Sequence, residues 1–123
     1  MNAPLVSVVV PTYNRAAYLG ETLDSILGQD HPAVEVVVVD DGSTDGTAQV
    51  LSTYTDRVRV VRQPNSGQAT AVNAGLAATR GEYLVLVSDD DPLLDAALST
   101  LVDVLEARPD VLVAYPDWFI IDP

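Results

Sequence analysis

The chain has 123 residues, 48% of them apolar and 20% charged, the profile of one folded domain rather than two domains or a disordered tail. Eighteen acids stand against six arginines and no lysine, for a formal charge of −12. That balance repels nucleic acid and anionic membrane and excludes every lysine-based chemistry. No cysteine and a single histidine exclude disulfide scaffolds, thiolate metal sites, cysteine nucleophiles and cages of several imidazoles.

Short β-branched runs alternate with helical patterns along the whole chain. Leu5 to Val10 reads as a buried strand that Pro11 stops. From Ala16 to Gly28, Leu19, Leu23, Ile26 and Leu27 share one helical face, with Gly28 as the stop. Loop residue His31, before Pro32, reads as solvent-exposed. Val34 to Val39 is a continuous apolar strand of the kind covered on both faces. Asp45 or Thr47 opens a second helix carrying Val50 and Leu51, with Asp45 and Thr47 as its cap.

Arg57 to Arg62 alternates valine with arginine, a third strand nearer the sheet edge. Gly67 to Thr79 is a helix of small residues, able to approach a sheet closely. Glu82 to Val87 is a fourth strand, again almost wholly apolar. Pro92 then suits the first turn of a helix whose Leu94, Leu98, Leu101 and Leu105 keep helical spacing. Val111 to Tyr115 starts a fifth strand, and Trp118 to Ile121 is an apolar run near the last residue.

Strands alternating with helices predict an α/β fold, a mainly parallel sheet with helices on both faces joined by right-handed crossovers. Every polar cluster falls at the carboxyl end of a strand, where open parallel sheets bind ligands. With strand order 3-2-1-4, three of those ends form one crevice. Asp40, Asp41 and Asp45, then Asp89, Asp90 and Asp91, concentrate acids there. Oxygen donors without histidine or cysteine suit Mg2+ or Mn2+, ions that take one or two carboxylates and a substrate's phosphates. Pro11-Thr12-Tyr13-Asn14-Arg15 lacks the glycines of a dinucleotide-binding loop. Asp41 to Gly46 copies only half of a calcium loop, with Ser52 where its closing glutamate would stand.

Ser7 to Arg15, Val38 to Thr47, Asn65 to Gly75, and Arg80 to Tyr83 running into the aspartate cluster together resemble glycosyltransferase family 2, in order and in spacing. The resemblance implies the Rossmann-like GT-A fold, a nucleoside-diphosphate sugar donor, a divalent cation and a sugar or lipid-linked acceptor. It covers the donor-binding half of the family, so residues 1–123 are expected to be one nucleotide-sugar-binding domain cut from a larger one, with the catalytic base beyond Pro123.

Carried onto this chain, Pro11, Thr12 and Tyr13 line the base and ribose pocket. Asp40 and Asp41 sit at the nucleobase and ribose, one accepting the base's N–H, which favours a uridine or thymidine donor over adenine. Gln68, Asn73 and Asp90 complete the donor contacts. The metal falls to the acid triplet, where Ser88 takes the place of the family's usual first aspartate. Asp91 is the first choice of ligand and Asp89 can stand in for the missing acid. Each also has a plainer reading: Tyr13 as boundary packing, Asp91 as a helix cap before Pro92, Asn73 as a buried hydrogen-bonder, Arg80 and Gly81 as a helix end and turn.

The expected activity is metal-dependent, inverting transfer of a sugar to an acceptor hydroxyl. A non-catalytic nucleotide-binding module and a nucleotidyltransferase are the rivals. No stretch is long enough to span a membrane and no signal segment opens the chain, so a cytoplasmic location is expected. Self-association through the apolar C-terminal end is expected as well.

Overall fold

The computed structural model describes residues 3–116. Its elements run β1 (Val6–Thr12), α1 (Ala16–Leu27), β2 (Val34–Asp40), α2 (Thr47–Ser52), β3 (Arg59–Arg62), α3 (Gln68–Ala77), β4 (Tyr83–Leu86) and α4 (Ala97–Ala107). The four strands form one all-parallel sheet in the order β3-β2-β1-β4. The order assumed from the sequence is the one observed.

Strand alternation sorts the core into two layers. Val6, Val8 and Val10 of β1 and Val36 and Val38 of β2 meet Leu19, Leu23 and Ile26 of α1, Leu51 of α2, and Leu98 and Val102 of α4. On the opposite face Val37 and Val39 meet Ala71 of α3. The small residues of α3 bring it close: a Cβ added at Gly75 would overlap a Val9 methyl and sit 3.2 Å from one of Val39. So helices cover both faces, three on one and α3 on the other.

Four expectations are corrected. Pro11 does not end β1, which runs to Thr12. Alternate residues of a parallel strand bond to opposite neighbours. Val9 O accepts from Val87 N on the β4 side and Thr12 O from Asp41 N on the β2 side. Pro11 therefore turns its missing N–H toward β4, which has already ended, and loses no bond.

The fourth helix begins at Ala97, not Pro92. Residues 93–98 are spliced onto α1 instead: Leu93 N donates to Ser25 Oγ (2.9 Å), Gln29 Nε2 to Leu94 O (2.8 Å) and Leu98 N to Gln29 Oε1 (3.0 Å). Residues 111–115 form no strand, and Leu112 stands 93% exposed; among the described residues no strand pairs with them. The Trp118–Ile121 run lies outside the described residues. His31 is buried, its Nε2 2.7 Å from Pro4 O, because that carbonyl supplies the partner the ring would otherwise find in water.

Two strands are also less complete than their sequences suggest. Of Arg57 to Arg62, only Arg59–Arg62 pairs. In β4, Leu84 and Leu86 remain about half exposed at 48% and 54%. They lie beside Ser7 and Val9, on the α3 face, but α3 packs over β1 and β2 instead. No helix of the described residues is long and apolar enough to cross a membrane.

Candidate functional site

A cleft of about 250 Å³ opens at the carboxyl ends of β1, β2 and β4. The end of β1 contributes Pro11, Thr12 and Tyr13, followed by Arg15 just before α1. Asp41 enters from the end of β2, Gln68 and Ala71 from α3, and Ser88, Asp89 and Asp90 from the turn after β4. Seven of the ten residues expected at the site from the sequence thus share one wall-to-wall space.

Asp41 is buried and fixed by three donors. Gln63 Nε2 and Ser66 N reach Oδ1 at 2.8 Å each, and Gly67 N reaches Oδ2 at 3.0 Å. These hydrogen bonds, that of Gln63 foremost, hold its carboxyl below the usual aspartate range against the opposing pull of burial. The backbone that supplies them needs glycine: Gly67 has φ 98° and Gly42, next to Asp41, has φ 80°. A Cβ at Gly42 would also come within 2.7 Å of Asn65 N.

Asp89 ties the acid turn to β1. Its Oδ2 accepts from Thr12 Oγ1 at 2.9 Å, and Oδ1 stands 4.0 Å from Arg15 Nε. Burial, with the charge of Asp90 added, raises its carboxyl above the ordinary value; Thr12, the Tyr13 N–H and Arg15 oppose this only in part. Asp90 borders the same cleft and is exposed.

The remaining expected residues lie elsewhere. Asp40 faces a separate depression bordered by Ser43, Arg62 and Gln63. There its Oδ1 accepts from Ser43 N at 2.9 Å and its Oδ2 is 3.9 Å from Arg62 Nε, a turn-closing role. Asn73 is on the exposed side of α3 and Asp91 on the exposed side of the acid turn, and neither borders the cleft.

Two residues of the site were not singled out from sequence. Arg15 is the one cation lining the cleft among the described residues. Asn14 stitches the loops together from a left-handed backbone, φ 52°. Its Oδ1 accepts from Thr44 N (2.7 Å) and Asp45 N (3.3 Å), and its own N–H donates to Ser43 Oγ (2.9 Å). Asp45 in turn caps two helices, accepting from Ala16 N of α1 (3.1 Å) and Thr47 N of α2 (3.0 Å). An asparagine just before a helix, where left-handed backbone is tolerated, was the available signal.

Among the described residues no group of three His, Cys, Asp or Glu side chains is close enough to hold a metal ion by itself. Two carboxylates on one cleft, Asp89 and Asp90, do fit a hard cation that completes its shell from a phosphate ligand and water.

The family model described as glycosyl transferase family 2 matches residues 7–122. Among curated proteins, the glycosyltransferase GlyG of Streptococcus pneumoniae is 40% identical over 114 residues, 89% of this chain and 38% of its own length. The putative teichuronic acid biosynthesis glycosyltransferase TuaG of Bacillus subtilis is 44% identical over 92 residues, 72% of this chain and 36% of its own. Of solved structures, S. aureus TarS 1–349 in complex with UDP-GlcNAc superposes with a TM-score of 0.81 at 35% identity, over 85% of this chain and 32% of that one. The mannosyltransferase PcManGT of Pyrobaculum calidifontis, in complex with GDP-Man and Mn2+, gives 0.76 at 34% identity, over 88% of this chain and 33% of that one. The chain spans between about a third and two fifths of the length of these relatives.

Proposed function

The chain belongs to glycosyltransferase family 2 and has the GT-A fold, and from that premise we propose that it binds the nucleoside-diphosphate sugar for an inverting, cation-assisted transfer to an acceptor hydroxyl. The observation that carries the reading is the convergence of Tyr13, Asp41, Asp89 and Asp90 on one cleft at the ends of three parallel strands. TarS holding UDP-GlcNAc and PcManGT holding GDP-Man with Mn2+ support it.

In this reading Pro11, Thr12 and Tyr13 form the wall against which the nucleobase and ribose rest. Asp41, ionised and held rigid by its three donors, accepts a ring N–H of the base; uracil and thymine offer one at N3 and guanine at N1, whereas adenine has only its exocyclic amine. Gln68 lies at the rim, within reach of the same ligand. Asp40 supports the pocket by closing the β2 turn. Asp89 and Asp90 of the acid turn would hold a divalent cation, Mn2+ or Mg2+. Such an ion, when bound, offsets the charge of the leaving nucleoside diphosphate. No residue of this cleft is assigned as the base that activates the acceptor.

Calorimetric titration tests the reading. UDP and GDP, or their sugars, should bind in the presence of Mn2+ while ADP binds more weakly. Equal or tighter binding of ADP would remove Asp41 from the base, and no binding of any nucleotide would end the proposal.

A further inference from the structure

We propose that Arg15 is the residue that reads the phosphates in this cleft, exchanging its loose contact with Asp89 for the diphosphate of the bound nucleotide. The inference rests on the nucleotide-sugar reading above and names a residue that the family comparison does not.

Charge is the first argument. The cleft is bordered by Asp41, Asp89 and Asp90 and by one cation, Arg15. Three carboxylates against one guanidinium would repel a diphosphate, and a single divalent ion only brings the cleft to neutrality. Arg15 is part of that balance: without it the ion-loaded cleft would keep a net negative charge and repel the diphosphate. The other arginines lie away from this cleft: Arg57 is over the Tyr54 ring, Arg59 donates to Ala78 O, Arg108 pairs with Asp110, and Arg62, as loosely paired as Arg15, borders the separate depression with Asp40. Arg80 sits at the opposite end of the sheet, where its N–H donates to Glu35.

Geometry is the second. The Arg15 side chain is 53% exposed, and its Nε stands 4.0 Å from Asp89 Oδ1, the outer limit of an ion pair. Asp89 already holds Thr12 at 2.9 Å through its other oxygen, so Arg15 can leave without orphaning it. The guanidinium donates no hydrogen bond to the described residues, and its planar fork matches a phosphate's oxygens. Its pivot is rigid: the Arg15 carbonyl accepts from Tyr18 N and Leu19 N, both at 3.0 Å, and Asn14 before it is pinned to the β2–α2 loop. A fixed backbone carrying a long, uncommitted cation at the mouth of an acidic cleft is built to meet an anion.

The test compares uridine, UDP and inorganic pyrophosphate on the wild-type chain and on Arg15→Gln and Arg15→Lys, with and without Mn2+, by calorimetry. Arg15→Gln should weaken UDP and pyrophosphate roughly ten- to a hundredfold, the worth of a charge-assisted hydrogen bond, and leave uridine within about twofold. Arg15→Lys should recover part of the loss, because it keeps the charge without the fork. If UDP binding is unchanged in Arg15→Gln, or uridine and UDP weaken in parallel, the inference is overturned and Arg15 only supports Asp89. A wild-type chain that binds neither uridine nor UDP overturns the nucleotide reading itself, whereas one that binds pyrophosphate alone keeps the role of Arg15 and discards the base pocket.

Discussion

Asn14 and Asp45 hold each other's loops from both sides: the Asn14 amide oxygen accepts the Asp45 N–H at 3.3 Å, while the Asp45 carboxylate accepts the N–H of Ala16, two residues past Asn14, at 3.1 Å. The β1–α1 and β2–α2 loops therefore move as one piece, and Tyr13 rides on it. Asn14→Ala should lose the Thr44 and Asp45 contacts and strain the left-handed backbone, about 2–3 kcal/mol together. Asn14→Gly keeps the backbone but not the contacts and should cost about 1 kcal/mol less than alanine. Urea unfolding checks the order. Equal losses would mean the backbone conformation contributes nothing.

Acid titration should separate Asp41 from Asp89. The native Asp41 carboxyl lies below its unfolded value, so its contribution is present above that unfolded value and is lost as pH falls through the native one. Asp89 is displaced upward by burial and Asp90, so its native form holds a proton more tightly than the unfolded chain does. Its charge then costs stability at neutral pH, and the cost disappears as pH falls through the native value toward 3.8. Asp89→Asn should melt above the wild type at pH 7, with the gap closing in acid. Asp41→Asn should melt below it, because an amide NH2 cannot accept what a carboxylate oxygen did.

The acid turn should respond to metal only with nucleotide present. Mn2+ with UDP should raise the thermal midpoint, since a ligand that binds only the folded state stabilises it. Asp90→Ala should abolish the increment because Asp90 borders the cleft, whereas Asp91→Ala should retain most of it. The reverse ranking would return the ligand to Asp91, the sequence's own first choice.

Gly75 should be the most sensitive position of α3. Its missing side chain is the space that Val9 and Val39 fill, so Gly75→Ala forces strand or helix to shift and should cost about 1–3 kcal/mol. Leu76→Ala, on the partly exposed side, should cost less although it removes three carbons where Gly75→Ala adds one. Thermal or denaturant midpoints of the two variants decide it.

The strands and the two-layer core could be read from sequence because valine runs of the right length fix strands, and leucine spacing fixes α1; the strand order was assumed, and the structure has it. The cleft could be read because loop residues at strand ends have nowhere else to go in a parallel sheet. What escaped was set by contacts distant in the chain. Pro92 suggested a helix start, but Gln29 and Ser25, more than 60 positions earlier, hold residues 93–98 in another shape. Asp40 and Asp41 are adjacent and chemically identical, yet β2 alternation and the turn at Gly42 send them to different depressions. His31 depended on one carbonyl, Pro4 O, that no local pattern announces.

Pro11 bars the sheet from extending past the point where β4 ends. The β1–β4 ladder ends at Val9 and Val87, and the next position of β1 that could extend it is Pro11, which has no proton to give. Beyond that point the backbones no longer pair, and the segment carrying Ser88, Asp89 and Asp90 is held to β1 by the Asp89 side chain, through Thr12 Oγ1. A residue with no functional group thus works as the end stop of a zipper. Sliding that stop by two positions, about 7 Å along a strand, would leave the cleft either sewn shut or gaping too wide for Thr12 to reach Asp89.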